Sequence, residues 1–145
     1  MDAQDPTGPL VLVADDDPLS LELVVSALGS QGCTVVVAGD GEQALAALMR
    51  QRIDAMLLDL HMPVLDGYGV LDRLREAPGR RRPAVIVLSA DPSPGARERA
   101  IELGADGYLL KPLNLAELGT VLVQAIRAAA ARSAAEPPDI PDVGR

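Results

Sequence analysis

Short aliphatic segments alternate with amphipathic segments five times along this 145-residue chain. The aliphatic segments predict strands at 9–14, 34–38, 53–58, 84–88 and 107–111. Aliphatic runs that are bounded by turn residues and separated by helix-length segments are typical of a parallel sheet with helices on both faces. Crossovers between parallel strands are right-handed, so the carboxyl ends of all the strands are expected at one edge. The pattern therefore predicts an α/β fold with a doubly wound, five-stranded parallel sheet.

Polar capping residues mark the start of each predicted helix. Asp17 before Pro18 combines an N-cap with a proline in the first turn. Two helices begin with the spacing of a capping box, Asp40 with Gln43 and Asn114 with Glu117. The remaining predicted starts are Asp66 and Ser93-Pro94, and the predicted stops are Gly29 or Gly32, Pro78-Gly79 and Gly104.

The ordered part of the chain is predicted to be one domain over residues 9–132. Because the sequence contains no Phe or Trp and only two Tyr, its core must be built from Val, Leu, Ile and Ala. Residues 1–8 are predicted to be a disordered N-terminus. Residues 133–145 are rich in Pro and acidic residues, a composition that favours a disordered tail or a linker.

Charge and cysteine content argue against several classes of protein. The net charge of −8 disfavours direct binding to nucleic acid. The N-terminus, MDAQDPTG, lacks the basic and apolar regions of a signal peptide, and the longest uncharged stretch, 23–39, is interrupted by Gly, Ser and Gln. Cys33 is the single cysteine, which suits a reducing compartment. We therefore expect a cytoplasmic protein with no membrane association.

Chemically reactive side chains stand at the carboxyl ends of four predicted strands. Asp15 and Asp16 follow the first strand, Asp59 the third and Ser89 the fourth, and Lys111 ends the fifth. Ligands in open α/β sheets bind outside these ends, where the strand order reverses. We therefore expect these side chains in one crevice.

A crevice of this composition suits phosphoryl chemistry. Three carboxylates favour a hard divalent cation such as Mg²⁺, which would also offset their mutual repulsion. Lys111 and Ser89 offer an ammonium group and a hydroxyl for phosphoryl oxygens. A carboxylate can itself accept a phosphoryl group as an aspartyl phosphate. Asp59, at the tip of a central strand, is the candidate acceptor, whereas Asp17 is expected to cap a helix.

The motifs VADDDP, DLHMPVLDG, VLSA and GADGYLLKP resemble, in order and spacing, those of response-regulator receiver domains of two-component signalling. The resemblance covers residues 9–132. It implies a flavodoxin-like (βα)5 fold with strand order 2-1-3-4-5. This sequence has Ser89 where many relatives have Thr and Leu113 where many have Phe, and neither difference removes a group that phosphorylation needs.

The resemblance also implies a role for each site residue. Asp59 would be the phosphoacceptor. The ligands of Mg²⁺ would be Asp15, Asp16, Asp59 and the backbone carbonyl of His61. The remaining implied roles are phosphoryl contact for Lys111, a reorienting hydroxyl for Ser89, a switch aromatic coupled to that hydroxyl for Tyr108, and a Lys111–Pro112 bond that is often cis.

As a receiver domain the chain would be a signalling switch rather than an enzyme. A sensor histidine kinase or a phosphotransfer protein would donate the phosphoryl group, and the domain would assist its own phosphorylation and slow dephosphorylation. The response would pass to a downstream protein, or to a second copy of the chain, through the surface formed by the fourth helix, fifth strand and fifth helix.

Two other readings remain open at the level of sequence. Asp15 and Asp17 form a D-x-D pattern after the first strand, as in small phosphatases that use an aspartyl phosphate, although Asp59 would then have no task. The chain could also be a receiver-like interaction module that is never phosphorylated. A further hypothesis is that His61 and Asp91, each two residues beyond a site residue, control the access of water to the phosphate.

Overall fold

The computed structural model describes residues 8–76 and 82–135, in which five strands alternate with five helices. The strands are β1 (Leu10–Ala14), β2 (Thr34–Ala38), β3 (Ala55–Asp59), β4 (Ala84–Ser89) and β5 (Gly107–Leu110). The helices are α1 (Pro18–Ser30), α2 (Gly41–Arg50), α3 (Gly67–Arg75), α4 (Pro94–Glu102) and α5 (Leu115–Ala135). Every predicted strand and helix is present, and the strand ends lie within two residues of the predicted positions.

The strands form one parallel sheet in the order β2-β1-β3-β4-β5. This confirms the doubly wound topology that the alternating pattern and the resemblance predicted. The central strands β1 and β3 pair from Val11 with Ala55 to Ala14 with Leu58, and Asp59 pairs with Leu88 of β4. The strand order therefore places the end of β3 between the ends of β1 and β4.

Each face of the sheet packs against its own helices. Alternation along β1 sends Leu12 to a core with α2, α3 and α4, and Val13 to a core with α1 and α5. The helices contribute mostly small and aliphatic side chains to these cores, which are Ala44, Ala47, Val70, Leu71 and Ala100 on one face and Val24, Leu28, Leu118, Leu122 and Ala125 on the other. Both cores are aliphatic, as the absence of Phe and Trp from the sequence requires.

The helix starts lie where the capping residues predicted them. Asp40 Oδ1 accepts the Gln43 N–H at 2.8 Å, and Gln43 Oε1 accepts the Gly39 N–H at 2.9 Å, so the capping-box side chains are both used. The other N-cap side chains are Asp17, Asp66, Ser93 and Asn114. Gly104 has a φ of 111° just beyond α4, a conformation that glycine adopts without the strain other residues incur.

Three predictions concern the limits of the described chain. The stop at Pro78-Gly79 and most of residues 1–8 and 133–145 lie outside the described residues. Helix α5 continues to Ala135, three residues into the segment predicted as a tail. Among the described residues, no helix has the length and apolar character that crossing a membrane requires.

Candidate functional site at the carboxyl edge of the sheet

Two buried aspartates and a lysine meet at the carboxyl edge of the sheet. Asp15 follows β1 and is 1% exposed, and Asp59 ends β3 and is 5% exposed. Lys111 follows β5, and its Nζ lies 2.9 Å from Asp15 Oδ2 and 3.1 Å from Asp59 Oδ2. One ammonium group therefore bridges two carboxylates that come from strands far apart in the sequence.

Backbone hydrogen bonds hold each of these side chains in place. Asp15 Oδ1 accepts the Asp17 N–H at 3.0 Å, and Asp59 Oδ1 accepts the His61 N–H at 3.1 Å. The Lys111 N–H donates to the Ser89 carbonyl at 2.8 Å, and the Lys111–Pro112 bond that follows is cis. Each carboxylate thus binds the lysine through one oxygen and its own loop through the other.

The environment shifts the pKa values of the two carboxyl groups in opposite directions. Burial raises the pKa of Asp15, but the hydrogen bond from the Asp17 N–H and the contact with Lys111 outweigh it and hold the pKa below its usual value. Burial also raises the pKa of Asp59, and the neighbouring Asp15 keeps it raised despite the bonds from His61 and Lys111. Burial lowers the pKa of Lys111, whereas the two carboxylates raise it and dominate.

A third carboxylate completes a cluster that could hold a cation. One carboxylate oxygen each from Asp15, Asp16 and Asp59 lies within 4.8 Å of the others, and Asp16 is exposed at the mouth. Hard divalent cations such as Mg²⁺ take oxygen ligands and bind proteins through few carboxylates and several waters. The donor set and its partial exposure therefore fit Mg²⁺.

Ser89 and Tyr108 meet at Asp91 rather than at the lysine. Ser89, at the end of β4, is fully buried, and its Oγ accepts the Asp91 N–H at 3.0 Å. The Tyr108 hydroxyl, from β5, donates to the Asp91 carbonyl at 2.8 Å. The two predicted switch residues are therefore joined through the backbone of Asp91, a connection that the sequence analysis did not predict.

The other aspartates and the histidine have different surroundings. The Asp17 side chain accepts the Leu19 N–H as the N-cap of α1, so it does not converge with Asp15 on a substrate as the D-x-D reading requires. His61 is exposed. Asp91 Oδ1 accepts the Ser93 N–H at 2.9 Å, and this bond lowers the pKa of the exposed carboxyl group.

Comparisons with known proteins agree on one family. Residues 11–123 match the model of the response regulator receiver domain. Over 112 residues the chain is 46% identical to the transcriptional regulatory protein PrrA of Mycobacterium tuberculosis, and the match covers 77% of this chain and 47% of PrrA. Over 106 residues it is 38% identical to the sensor histidine kinase RcsC of Escherichia coli, which covers 73% of this chain and 11% of RcsC. The chain therefore spans about half the length of PrrA and a small part of RcsC.

A solved structure of a similar receiver domain contains a magnesium ion. The receiver domain of the sensor histidine kinase PA1611 from Pseudomonas aeruginosa superposes with a TM-score of 0.76 at 36% identity, covering 83% of this chain and 99% of that one. A magnesium ion is coordinated in the active-site cleft of that protein. This chain has its acidic cluster at the carboxyl edge of its sheet.

Proposed function

This chain belongs to the response regulator receiver domain family, and from that premise we propose that it accepts a phosphoryl group on Asp59 and passes the change to a protein partner. The observation that carries the proposal is the Lys111 ammonium held 2.9 and 3.1 Å from the buried carboxylates of Asp15 and Asp59. A partly buried lysine bound to two acids is already in place for the oxygens of an incoming phosphoryl group.

The chemistry follows from the positions of these groups. An oxygen of Asp59 attacks the phosphorus of a phosphohistidine in line with the bond to the histidine nitrogen. The new O–P bond forms as that N–P bond breaks, and the imidazole keeps the electron pair. Lys111 then binds an equatorial phosphoryl oxygen, while Asp15 keeps the ammonium in position. Because the pKa of Lys111 is raised, its ammonium group is fully protonated at neutral pH.

Asp15, Asp16, Asp59 and the backbone carbonyl of His61 are the proposed ligands of Mg²⁺. When bound, the ion would neutralise the negative charge of the phosphoryl oxygens. The phosphate would leave by slow hydrolysis that the same residues assist. Nothing in this scheme turns over a separate substrate, so the chain would act as a switch.

The proposed output surface lies on α4, β5 and α5. A groove between these elements is lined by side chains that include Tyr108, Leu110, Arg97 and Glu117. Leu110 is 47% exposed. The groove lies beside the loop between β4 and α4, in which the Asp91 carbonyl accepts the Tyr108 hydroxyl and the Asp91 N–H binds Ser89. A change in the position of Ser89 can therefore alter the shape of the groove. We propose that a downstream protein or a second copy of the chain binds here, and that a histidine kinase or phosphotransfer protein is the cytoplasmic donor.

A phosphorylation experiment tests the proposal. Wild type and Asp59→Asn would be incubated with Mg²⁺ and a small phosphodonor such as acetyl phosphate, and intact mass would be measured before and after acid treatment. We expect an acid-labile phosphoryl adduct on wild type and none on Asp59→Asn. Asp72→Asn, which removes an exposed carboxylate from α3, is the matched control and should be labelled like wild type. Equal labelling of Asp59→Asn and wild type would exclude Asp59 as the acceptor.

The same experiment addresses the alternative functions. A phosphatase would release phosphate from a generic phosphate ester with turnover, and Asp17 is already engaged as a helix cap in this structure. An interaction module that is never phosphorylated would give no adduct at any donor concentration. Labelling that is stoichiometric and depends on Asp59 would distinguish the receiver from both.

A further inference from the structure

The loop between β4 and α4 contains an unbroken series of local hydrogen bonds. Ser89 Oγ accepts the Asp91 N–H at 3.0 Å, Asp91 Oδ1 accepts the Ser93 N–H at 2.9 Å, and Ser93 Oγ accepts the Ala96 N–H at 3.3 Å. Each side-chain oxygen therefore holds the backbone of the next member. We call this series the Ser89–Asp91–Ser93 ladder. It runs from the fully buried end of β4 to the first turn of α4.

Proline makes this ladder stiff. Pro92 and Pro94 alternate with the ladder residues, and the ring of each fixes its own φ and removes its N–H. Asp91 and Ser93 both donate their N–H within the ladder. The prolines therefore restrict the conformations open to the loop, while the hydrogen bonds of the ladder hold the residues between them.

Asp91 occupies the centre of the ladder through three of its groups. Its N–H binds the Ser89 hydroxyl oxygen, its carbonyl accepts the Tyr108 hydroxyl at 2.8 Å, and its carboxylate closes the turn to Ser93. Aspartate side chains commonly fix such turns by accepting the N–H two residues on. The carboxylate thus sets the backbone orientation from which the other two groups bind their partners.

We propose that Asp91 is a positioning residue, whose carboxylate fixes the turn that orients the Ser89 hydroxyl and anchors Tyr108 and the start of α4. With the Asp91 N–H bound to a lone pair of the Ser89 oxygen, the hydroxyl proton stays available for an acceptor such as a phosphoryl oxygen on Asp59. The catalytic part of this inference rests on the proposed function. The structural part, a turn held by a carboxylate oxygen, does not.

This inference competes with the hypothesis that the charge of Asp91 controls the access of water. Asp91→Asn separates the two, because the amide oxygen of Asn can accept the Ser93 N–H but carries no charge. Asp91→Ala removes both the acceptor and the charge. Ser93→Ala removes the cap of α4 and the contact of the Ser93 hydroxyl with the Asp91 carboxylate, but keeps the Ser93 N–H, so it tests the start of α4 while the backbone bond of the turn is retained.

The first readout is amide hydrogen exchange measured by NMR in the full chain, without a phosphodonor. We expect the amides of residues 91 and 93 to exchange on the order of fivefold faster in Asp91→Ala, as for the loss of one cap, and at the wild-type rate in Asp91→Asn. Wild-type exchange in Asp91→Ala, or equally fast exchange in both variants, would overturn the proposal. These outcomes do not depend on whether Asp59 is phosphorylated.

The second readout is the rate of phosphorylation by acetyl phosphate with Mg²⁺. We expect Asp91→Ala to lower the rate at saturating donor several-fold, with little change in the donor concentration for half-maximal rate, and Asp91→Asn to restore it. An effect of the same size in Ser93→Ala would assign the loss to α4 and refute positioning of Ser89. Failure of wild type to be labelled would refute the proposed function and leave the exchange result to decide the turn.

Discussion

Replacing Lys111 by Met tests the charge balance on which the site depends. Met keeps most of the length of the side chain and removes the ammonium group that bridges Asp15 and Asp59. At these distances each contact amounts to about 5 kcal/mol of attraction at an effective dielectric of about 20, before the cost of desolvation is subtracted. Removing one partner of a buried ion pair costs about 3–5 kcal/mol in all. Because the Lys111 side chain is 22% exposed, we expect about 3 kcal/mol at pH 7.5 without Mg²⁺.

The loss of stability in Lys111→Met should depend on pH, and the direction of this dependence follows from the pKa shifts at the site. The raised pKa of Lys111 means that its stabilisation is fully present below its unfolded pKa, near 10.4, and is lost only as pH rises through the still higher folded pKa. The ionisation of Lys111 itself therefore adds no pH dependence over the acidic and neutral range, and the dependence comes from the carboxyl groups. In Lys111→Met the pKa values of the two carboxyl groups rise, so the folded state is penalised above their unfolded pKa of about 3.9. The difference from wild type should shrink as pH falls from about 7.5 towards 4.

Urea unfolding followed by far-ultraviolet circular dichroism provides the measurement. Wild type, Lys111→Met and the double variant Asp59→Asn/Lys111→Met would be compared at several pH values, with and without Mg²⁺. The double variant should recover part of the loss, since one of the two unpaired charges is gone. Mg²⁺ should stabilise Lys111→Met more than wild type. Equal stability of Lys111→Met and wild type at pH 7.5, or a loss that does not change with pH, would refute the reasoning.

Two predictions concern features outside the ion pair. Val64 is 76% exposed and lies in a tight turn, in which the Leu65 N–H donates to the Pro63 carbonyl at 2.7 Å. Its φ of 71° is a conformation that strains a β-branched residue. Val64→Gly should raise the free energy of unfolding by about 1 kcal/mol, and a decrease in urea unfolding would contradict this. The guanidinium carbon of Arg99 in α4 lies 3.9 Å from the ring centroid of Tyr68 in α3. Tyr68→Leu should lower the free energy of unfolding by about 0.5–1 kcal/mol more than Tyr68→Phe, which keeps a ring. Equal decreases in the two variants would show that the stacking of Arg99 on the ring contributes nothing to stability.

The fold could be predicted because its signals are local and repeated. Aliphatic runs, capping residues and glycines each act within a few residues, and five repeats of one unit leave few topologies open. The edge of the sheet that carries the site follows from the same rule, since parallel strands all end on one side. The sequence therefore allowed the prediction that Asp15, Asp59 and Lys111 lie in one crevice. It did not indicate that one ammonium group would bind both acids.

The connection between Ser89 and Tyr108 could not be predicted in the same way. It passes through the backbone N–H and carbonyl of Asp91, and backbone groups carry no signal in a sequence. The spacing of Ser89, Asp91 and Ser93, with prolines at 92 and 94, was visible, but such spacing is equally common in loops that have no link to a site. The positive φ of Val64 was missed for the opposite reason, because its residue type argues against the conformation it adopts.

Three adjacent acids at the end of β1 carry like charges that repel one another. The structure lessens this repulsion by orienting the three side chains differently. Asp15 turns inward to Lys111 and Asp17 caps its own helix, whereas Asp16 is exposed at the mouth of the acidic cluster. The repulsion between buried groups is that between Asp15 and Asp59, which come from different strands and bind the same ammonium group. A phosphoryl group on Asp59 that takes Lys111 as its partner would withdraw that compensation from Asp15. A divalent cation bound among the three acids would offset part of the remaining negative charge, which is why metal and lysine should substitute for one another in stability.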